Sequence, residues 1–230
     1  MNHMKTFVVL TAAVAAVSLV TAKADILGDW SFETSLPTTA GPFSPEIGSG
    51  SASGSHVSAA TYSNPAGNGS SHSFSANTWA VGDFWEFDVS TISYTGIQIS
   101  FDQASSNTGP GTFGLFYSVN GGSYTQIGAN YTVLANASPN PVWNATTSSS
   151  IYTFTPDLSS TGTALNNATS VSFRLFDESA VSANGGTVGT GGTDRVDNFV
   201  VSASPVPEPS SLALGLIGGF AWLVALRRKR

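Results

Sequence analysis

The chain has 230 residues, a formal net charge of −6, 24 Gly, 11 Pro and no Cys. Only 10% of its residues are charged, against about 25% in an ordinary soluble domain, and 35 Ser, 24 Thr and 14 Asn fill the difference. The absent thiols exclude a disulfide framework and a thiolate metal site, eight Lys and Arg are too few to track a phosphate backbone, which argues against nucleic acid as a partner, and the aromatic content (5 Trp, 6 Tyr, 14 Phe) argues against disorder.

The first element is a leader. Lys5 supplies a positive charge, residues 7–20 are an apolar run broken by Thr11 and Ser18, and Ala22-Lys23-Ala24 presents small residues at −3 and −1. This is the pattern of a secretory signal peptide cut by signal peptidase between Ala24 and Asp25. Residues 1–24 are therefore set apart from the fold. The rest of the basic charge is equally uneven. Between residues 25 and 205 stand only Arg174 and Arg195, against thirteen Asp and Glu.

Residues 25–203 contain short runs of alternating polarity separated by Gly, Ser, Asn and Pro, and no amphipathic helix. In chain order the runs predict strands over 27–33, 57–62, 84–89, 97–101, 113–119, 124–127, 131–134, 151–154, 171–177 and 195–203. Asn120-Gly121-Gly122-Ser123 predicts the tight turn of a hairpin, because Asn and Gly tolerate φ > 0. On the strand before it, Phe116 makes the second face partly apolar. Loops are expected over 35–55, 63–71, 103–111, 135–148 and 180–193. About ten strands without crossover helices fit an all-β, two-layer antiparallel sandwich of jelly-roll type.

Residues 204–211 form a Pro-rich linker containing Pro207-Glu208-Pro209. The apolar stretch 212–226 follows, and Arg227, Arg228, Lys229 and Arg230 close the chain. At about 1.5 Å per residue the stretch is short for a transmembrane helix, but Ser210 and snorkelling arginines extend it, and the four cations hold that end in the cytoplasm. This order resembles the PEP-CTERM sorting signal of Gram-negative bacteria. The resemblance implies an exosortase that recognises Pro207, Glu208 and Pro209 and cuts near them. It further implies a stay in the inner membrane before processing, a final place at the cell surface or in the extracellular matrix, and a host that exports exopolysaccharide.

The middle domain has its own likenesses. Asp102-Gln103-Ala104-Ser105-Ser106-Asn107-Thr108-Gly109-Pro110 and the Tyr117-Ser118-Val119-Asn120-Gly121-Gly122 hairpin resemble the middle strands of extracellular jelly rolls that precede such signals. Gly28-Asp29-Trp30-Ser31-Phe32-Glu33 and Arg195-Val196-Asp197-Asn198-Phe199 resemble the paired terminal strands of carbohydrate-binding-module-like jelly rolls. That resemblance implies a structural calcium ion held at one sandwich edge by Glu33 and Asp197, with Asp29 and Asp194 nearby in sequence. The competing reading pairs Glu33 or Asp197 with Arg195 or Arg174.

Other chemistry is thin. His56 and His72 lie in Ser/Gly-rich surroundings with no nucleophile elbow and no metal-protease motif. Asp83, Glu86 and Asp88 would suit a glycoside hydrolase if two of them stood about 5–10 Å apart, but beside Phe84, Trp85 and Phe87 they read more simply as an outward polar face. The Gly-rich run 185–192 reads as a flexible loop. Among the tryptophans, Trp143, after Pro139-Asn140-Pro141-Val142, is the expected sugar platform, and Trp30 and Trp85 are expected in the core. The sequence therefore predicts a non-enzymatic, structural or adhesive surface domain. A carbohydrate-binding module contacting exopolysaccharide is the first alternative and a glycan-active hydrolase the second. A surface row of aromatics would mark the binding module, and two carboxylates in a cleft would mark the enzyme.

Overall fold

The structure, a computed structural model, describes residues 23–206. Ala22, the sorting motif Pro207, Glu208 and Pro209, the apolar stretch and the basic tail lie outside the described residues. Twelve strands run in chain order: β1 (Asp25–Trp30), β2 (Ile47–Gly48), β3 (Ser51–Ser55), β4 (Tyr62–Ser63), β5 (Phe74–Ala76), β6 (Phe84–Val89), β7 (Tyr94–Ser105), β8 (Thr112–Val119), β9 (Thr125–Thr132), β10 (Thr153–Phe154), β11 (Val171–Asp177) and β12 (Asp194–Pro205). Two short 3-10 turns, Ser150–Tyr152 and Ser159–Thr161, are the only helical pieces among the described residues.

The strands form a two-layer antiparallel sandwich. One sheet has the order β10-β7-β12-β1-β2, with β5 sharing an edge of β12 and β4 beside β5. The other has the order β3-β6-β11-β8-β9. Period-two alternation builds the space between them. In β11, Val171, Phe173, Leu175 and Asp177 are buried and the residues between them are half-buried. β6 repeats the pattern with Trp85, Phe87 and Val89 inside. Phe87 and Phe199 stack across the two layers at 3.7 Å between centroids, and Trp30 meets both edge-on. As expected, Trp30 and Trp85 are core, each with no exposed surface.

The terminal strands pair as the resemblance implies, with Asp25 opposite Ala203 and Trp30 opposite Phe199. Asp25 and Ala203 therefore lie at one end of the sandwich. β12 departs from simple alternation. A bulge between Asp197 and Val200, with Asn198 at φ 49°, inserts one residue. Val196 faces inward before it, Phe199 and Val201 after it, so strict alternation from Val196 does not carry through the strand.

Other departures have local causes. The run at 57–62 is not a strand beyond Tyr62, and Val57 is 84% exposed. The expected loop over 35–55 contains β2 and β3. β3 reads Ser-Ala-Ser-Gly-Ser because its inner positions must be small. A Cβ on Gly54 would lie 2.8 Å from the Trp85 ring and 2.7 Å from the Tyr62 ring. The two strands expected at 124–127 and 131–134 are one strand, β9, entered by the Asn120-Gly121 turn at φ 51° and 73°.

Candidate ligand-binding face

The outer face of the β3-β6-β11-β8-β9 sheet carries a stack of aromatic rings around one guanidinium. The register builds it. Phe176 on β11 stands opposite Phe84 on β6, and Arg174 stands opposite Glu86 on one side and Phe116 on the other. Phe84 and Phe176 are parallel within 6° at 5.7 Å between centroids, and Phe116 meets Phe176 at 5.5 Å. The Arg174 guanidinium lies 3.8 Å from the Phe84 centroid and 3.8 Å from that of Tyr124. The order across the face is Tyr124, Arg174, Phe84, Phe176, Phe116. Gly114, opposite Phe176, gives the last ring its room. A Cβ there would come within 2.7 Å of Phe116 and 3.2 Å of both Asn130 Oδ1 and Glu178 Oε1.

Polar groups border the stack. Arg174 Nε donates to Glu86 Oε2 at 2.5 Å, and the Tyr124 hydroxyl donates to the same oxygen at 2.5 Å. Burial and the Glu86 bond push the Tyr124 phenol up to about 12, so it remains a donor at any physiological pH. Asp88 accepts from Ser51 and Ser172. Gln126 donates to Asn130 at 2.6 Å on the far side. Apolar rings with planar amides, carboxylates and hydroxyls at their edges are the groups that pack against the C–H face of a sugar ring and bond its hydroxyls. Glu86 and Asp88 share one strand face as the sequence implied, and both are engaged by these neighbours. His56 Nδ1 lies 2.9 Å from the Tyr62 hydroxyl, and its ring is packed beside Trp79 and Trp85. Asp83 binds the backbone N–H groups of Val57 and Ala80.

The residues expected to hold calcium meet a different partner. Asp197 Oδ2 accepts from the Asn68 N–H (2.9 Å), the Ser70 hydroxyl (2.5 Å) and Asn198 Nδ2 (3.1 Å), and Oδ1 accepts from the Asn198 N–H (2.8 Å). Glu33 Oε1 accepts from the His72 N–H at 2.8 Å. The two carboxylates thus converge on one loop, 67–72, and fasten it. Gly67 permits the approach, since a Cβ there would lie 2.1 Å from Asp197 Oδ2. Calcium needs six to eight oxygen ligands, whereas the hydrogens of four donors point at Asp197. These residues do not fit the ion, and among the described residues no group of three His, Cys, Asp or Glu is placed to hold a metal. Neither Glu33 nor Asp197 pairs with an arginine: Arg174 binds Glu86, and Arg195 donates to the Ala66 carbonyl.

Trp143 is 4% exposed. Its loop folds back, with the Trp143 N–H on Asn136 Oδ1 and the ring edge-on to Tyr152, so it offers no ring face to a ligand from solvent. Deeper in, Asp194 accepts from Trp85 Nε1 (2.7 Å), Gln103 Nε2 (3.1 Å) and the Ser105 hydroxyl (2.9 Å). Burial still outweighs these donors and raises Asp194 to about 7.

No protein-family model and no curated protein matches the chain. Solved structures of similar fold exist at low identity. The enzymatically active domain of tailspike protein 4 from bacteriophage CBA120 is 11% identical at TM-score 0.42, over 77% of this chain and 21% of that one. The chain thus spans about a fifth of the tailspike domain. TmCBM61 in complex with β-1,4-galactotriose is 11% identical at 0.38, over 74% and 92%. The K1 cleaved adhesin domain of Lys-gingipain from Porphyromonas gingivalis is 14% identical at 0.42, over 79% and 98%.

Sequence reasoning missed Phe84, Phe176 and the partnership of Arg174 with Tyr124. The one signal was Phe116, whose outward position breaks the polar alternation of β8. A single phenylalanine does not reveal a row, because its neighbours come from strands 32 and 60 residues away in the chain.

Proposed function

We propose that this chain is an exported surface protein whose sandwich domain adheres to glycan through the Tyr124–Arg174–Phe84–Phe176–Phe116 face. The observation that supports it most is the placement of four rings and a guanidinium in one packed row on the outer side of a sheet. Burying those side chains inward would have enlarged the core; outward, they serve an external surface. Their position supports adhesion too. Phe84 and Phe176 lie at the end of their sheet remote from Val89 and Val171, whereas Asp25 and Pro205 leave from the other end, near Tyr94. A domain held to a membrane or matrix by its ends would point this face away from the attachment.

In this reading residues 1–24 direct export, and exosortase acts at Pro207-Glu208-Pro209. The basic residues 227–230 retain the precursor in the inner membrane until then. The processed domain works at the cell surface or in the extracellular matrix, with exopolysaccharide as its partner, by binding and without catalysis. A glycan array probed with the full chain tests the binding. Wild type should light up a related set of glycans, and Phe116→Ala or Phe176→Ala should lose them. An array that responds equally to both variants and to wild type would place binding elsewhere.

A further inference from the structure

We infer that the glycan held by this face is uncharged, an inference that rests on the proposed reading of the face itself. The charges around the stack are almost all negative. Among the described residues Arg174 is the only basic side chain on the face, and a carboxylate already neutralises it. Its Nε is on Glu86, its guanidinium has Phe84 on one side and Tyr124 on the other at 3.8 Å each, and its side chain is 24% exposed. Arg195 belongs to the other sheet, where it donates to Ala66. Recognition of a uronate, sulfate or phosphate group uses an uncompensated guanidinium or ammonium as a bidentate or point-charge partner, and the one guanidinium of this face already has Glu86 as its counter-ion.

The same face is lined with carboxylates. Glu86 and Asp88 stand on β6, and Glu178 Oε1 stands by the notch above Gly114. An acidic sugar on the stack would sit within a Debye length of all three, about 10 Å at 0.1 M salt, inside a domain with two arginines against thirteen carboxylates. Sugar hydroxyls meet no such opposition. Asp88, Glu178 and Asn130 accept hydrogen bonds, Gln126 and Asn130 carry amide donors, and the rings take the apolar C–H face. The chemistry therefore selects a neutral polysaccharide and rejects an anionic one.

Affinity electrophoresis of the full chain in non-ionic detergent tests this, with gels containing neutral polymers (β-galactan, β-glucan, mannan) or anionic ones (polygalacturonate, alginate). The expected result is retardation by at least one neutral polymer, lost in Phe176→Ala and in Phe116→Ala, and none by the anionic polymers at low or high salt. Each variant is first checked for a cooperative melt, so that either one alone serves if the other fails to fold. Retardation by an anionic polymer that disappears in the same variants would overturn the inference while leaving the face as the binding site. Retardation by no polymer, or retardation unchanged in the variants, would overturn the reading of the face and the inference with it.

Discussion

Three buried carboxylates make the stability of this domain depend on pH in an unusual direction. Burial raises Asp194 and Asp197 to about 7 and Asp177 to about 6, from an ordinary 3.8. Each native pKa lies above its unfolded value, so the native state binds more protons between about pH 4 and pH 7. The stabilising contribution is complete below the unfolded pKa and is lost as pH rises through the native one. Thermal melts should accordingly show a midpoint that falls between pH 4 and pH 8, the reverse of a domain held by surface ion pairs. A midpoint that rises over that range would contradict the burial argument. At Asp197 the expectation is also sharp. With four hydrogen bonds converging on it, Asp197→Ala leaves the donors of the 67–72 loop unpaired, a loss on the order of 3 kcal/mol. Adding a calcium chelator to the wild-type protein should leave the midpoint unchanged, and a drop on chelation would restore the ion that the hydrogen-bond pattern displaces.

At the scale of elements, the outward stack couples β6, β8, β11 and the turn before β9. A double-mutant cycle between Arg174→Ala and Phe84→Ala should give a coupling of about 1 kcal/mol, from a partly exposed cation–π contact. A coupling of zero would mean that the guanidinium is held by Glu86 alone. Which parts of this architecture can be read in the sequence follows from what generates each one. The strands β6 and β11 are legible to the residue, because both faces alternate and both ends carry turn residues. β3 is not, since its inner positions are Ala52 and Gly54, and Gly54 is kept small by the Trp85 and Tyr62 side chains that arrive from other strands. The bulge at Asn198 is hidden for a similar reason: an asparagine with φ > 0 is visible only once β12 has been paired with β7. The face itself depends on register between strands remote in the chain, so Phe116 shows one outward ring but not that Phe84 and Phe176 stand beside it. Trp143 looked like a platform from its Pro-rich approach, yet that approach folds the ring inward onto Tyr152.

On the scale of the whole molecule, β12 ties the two sheet partners β1 and β7 together. It pairs with β7 along its length, with β5 at Asp194–Val196 and with β1 at Phe199–Ala203. A chain ending at 206 should melt cooperatively, whereas one ending at 198 should not fold, because the partner of β1 is gone. Any processing of the tail must then fall beyond Pro205 to leave the domain intact. The composition takes on meaning at this scale. Thirteen carboxylates, two arginines and no lysine between residues 25 and 205 give a surface whose solubility comes from Ser, Thr and Asn, and whose outward aromatic stack stands in a field that disfavours anions. Glycan binding at this stack is open to a direct test. Titrating the best neutral glycan from the array into the full chain by calorimetry tests it most directly. Phe176→Ala should weaken binding by about tenfold or more, the equivalent of about 1.4 kcal/mol, with the thermal transition of the variant still cooperative. An unchanged affinity in a folded Phe176→Ala protein would contradict it.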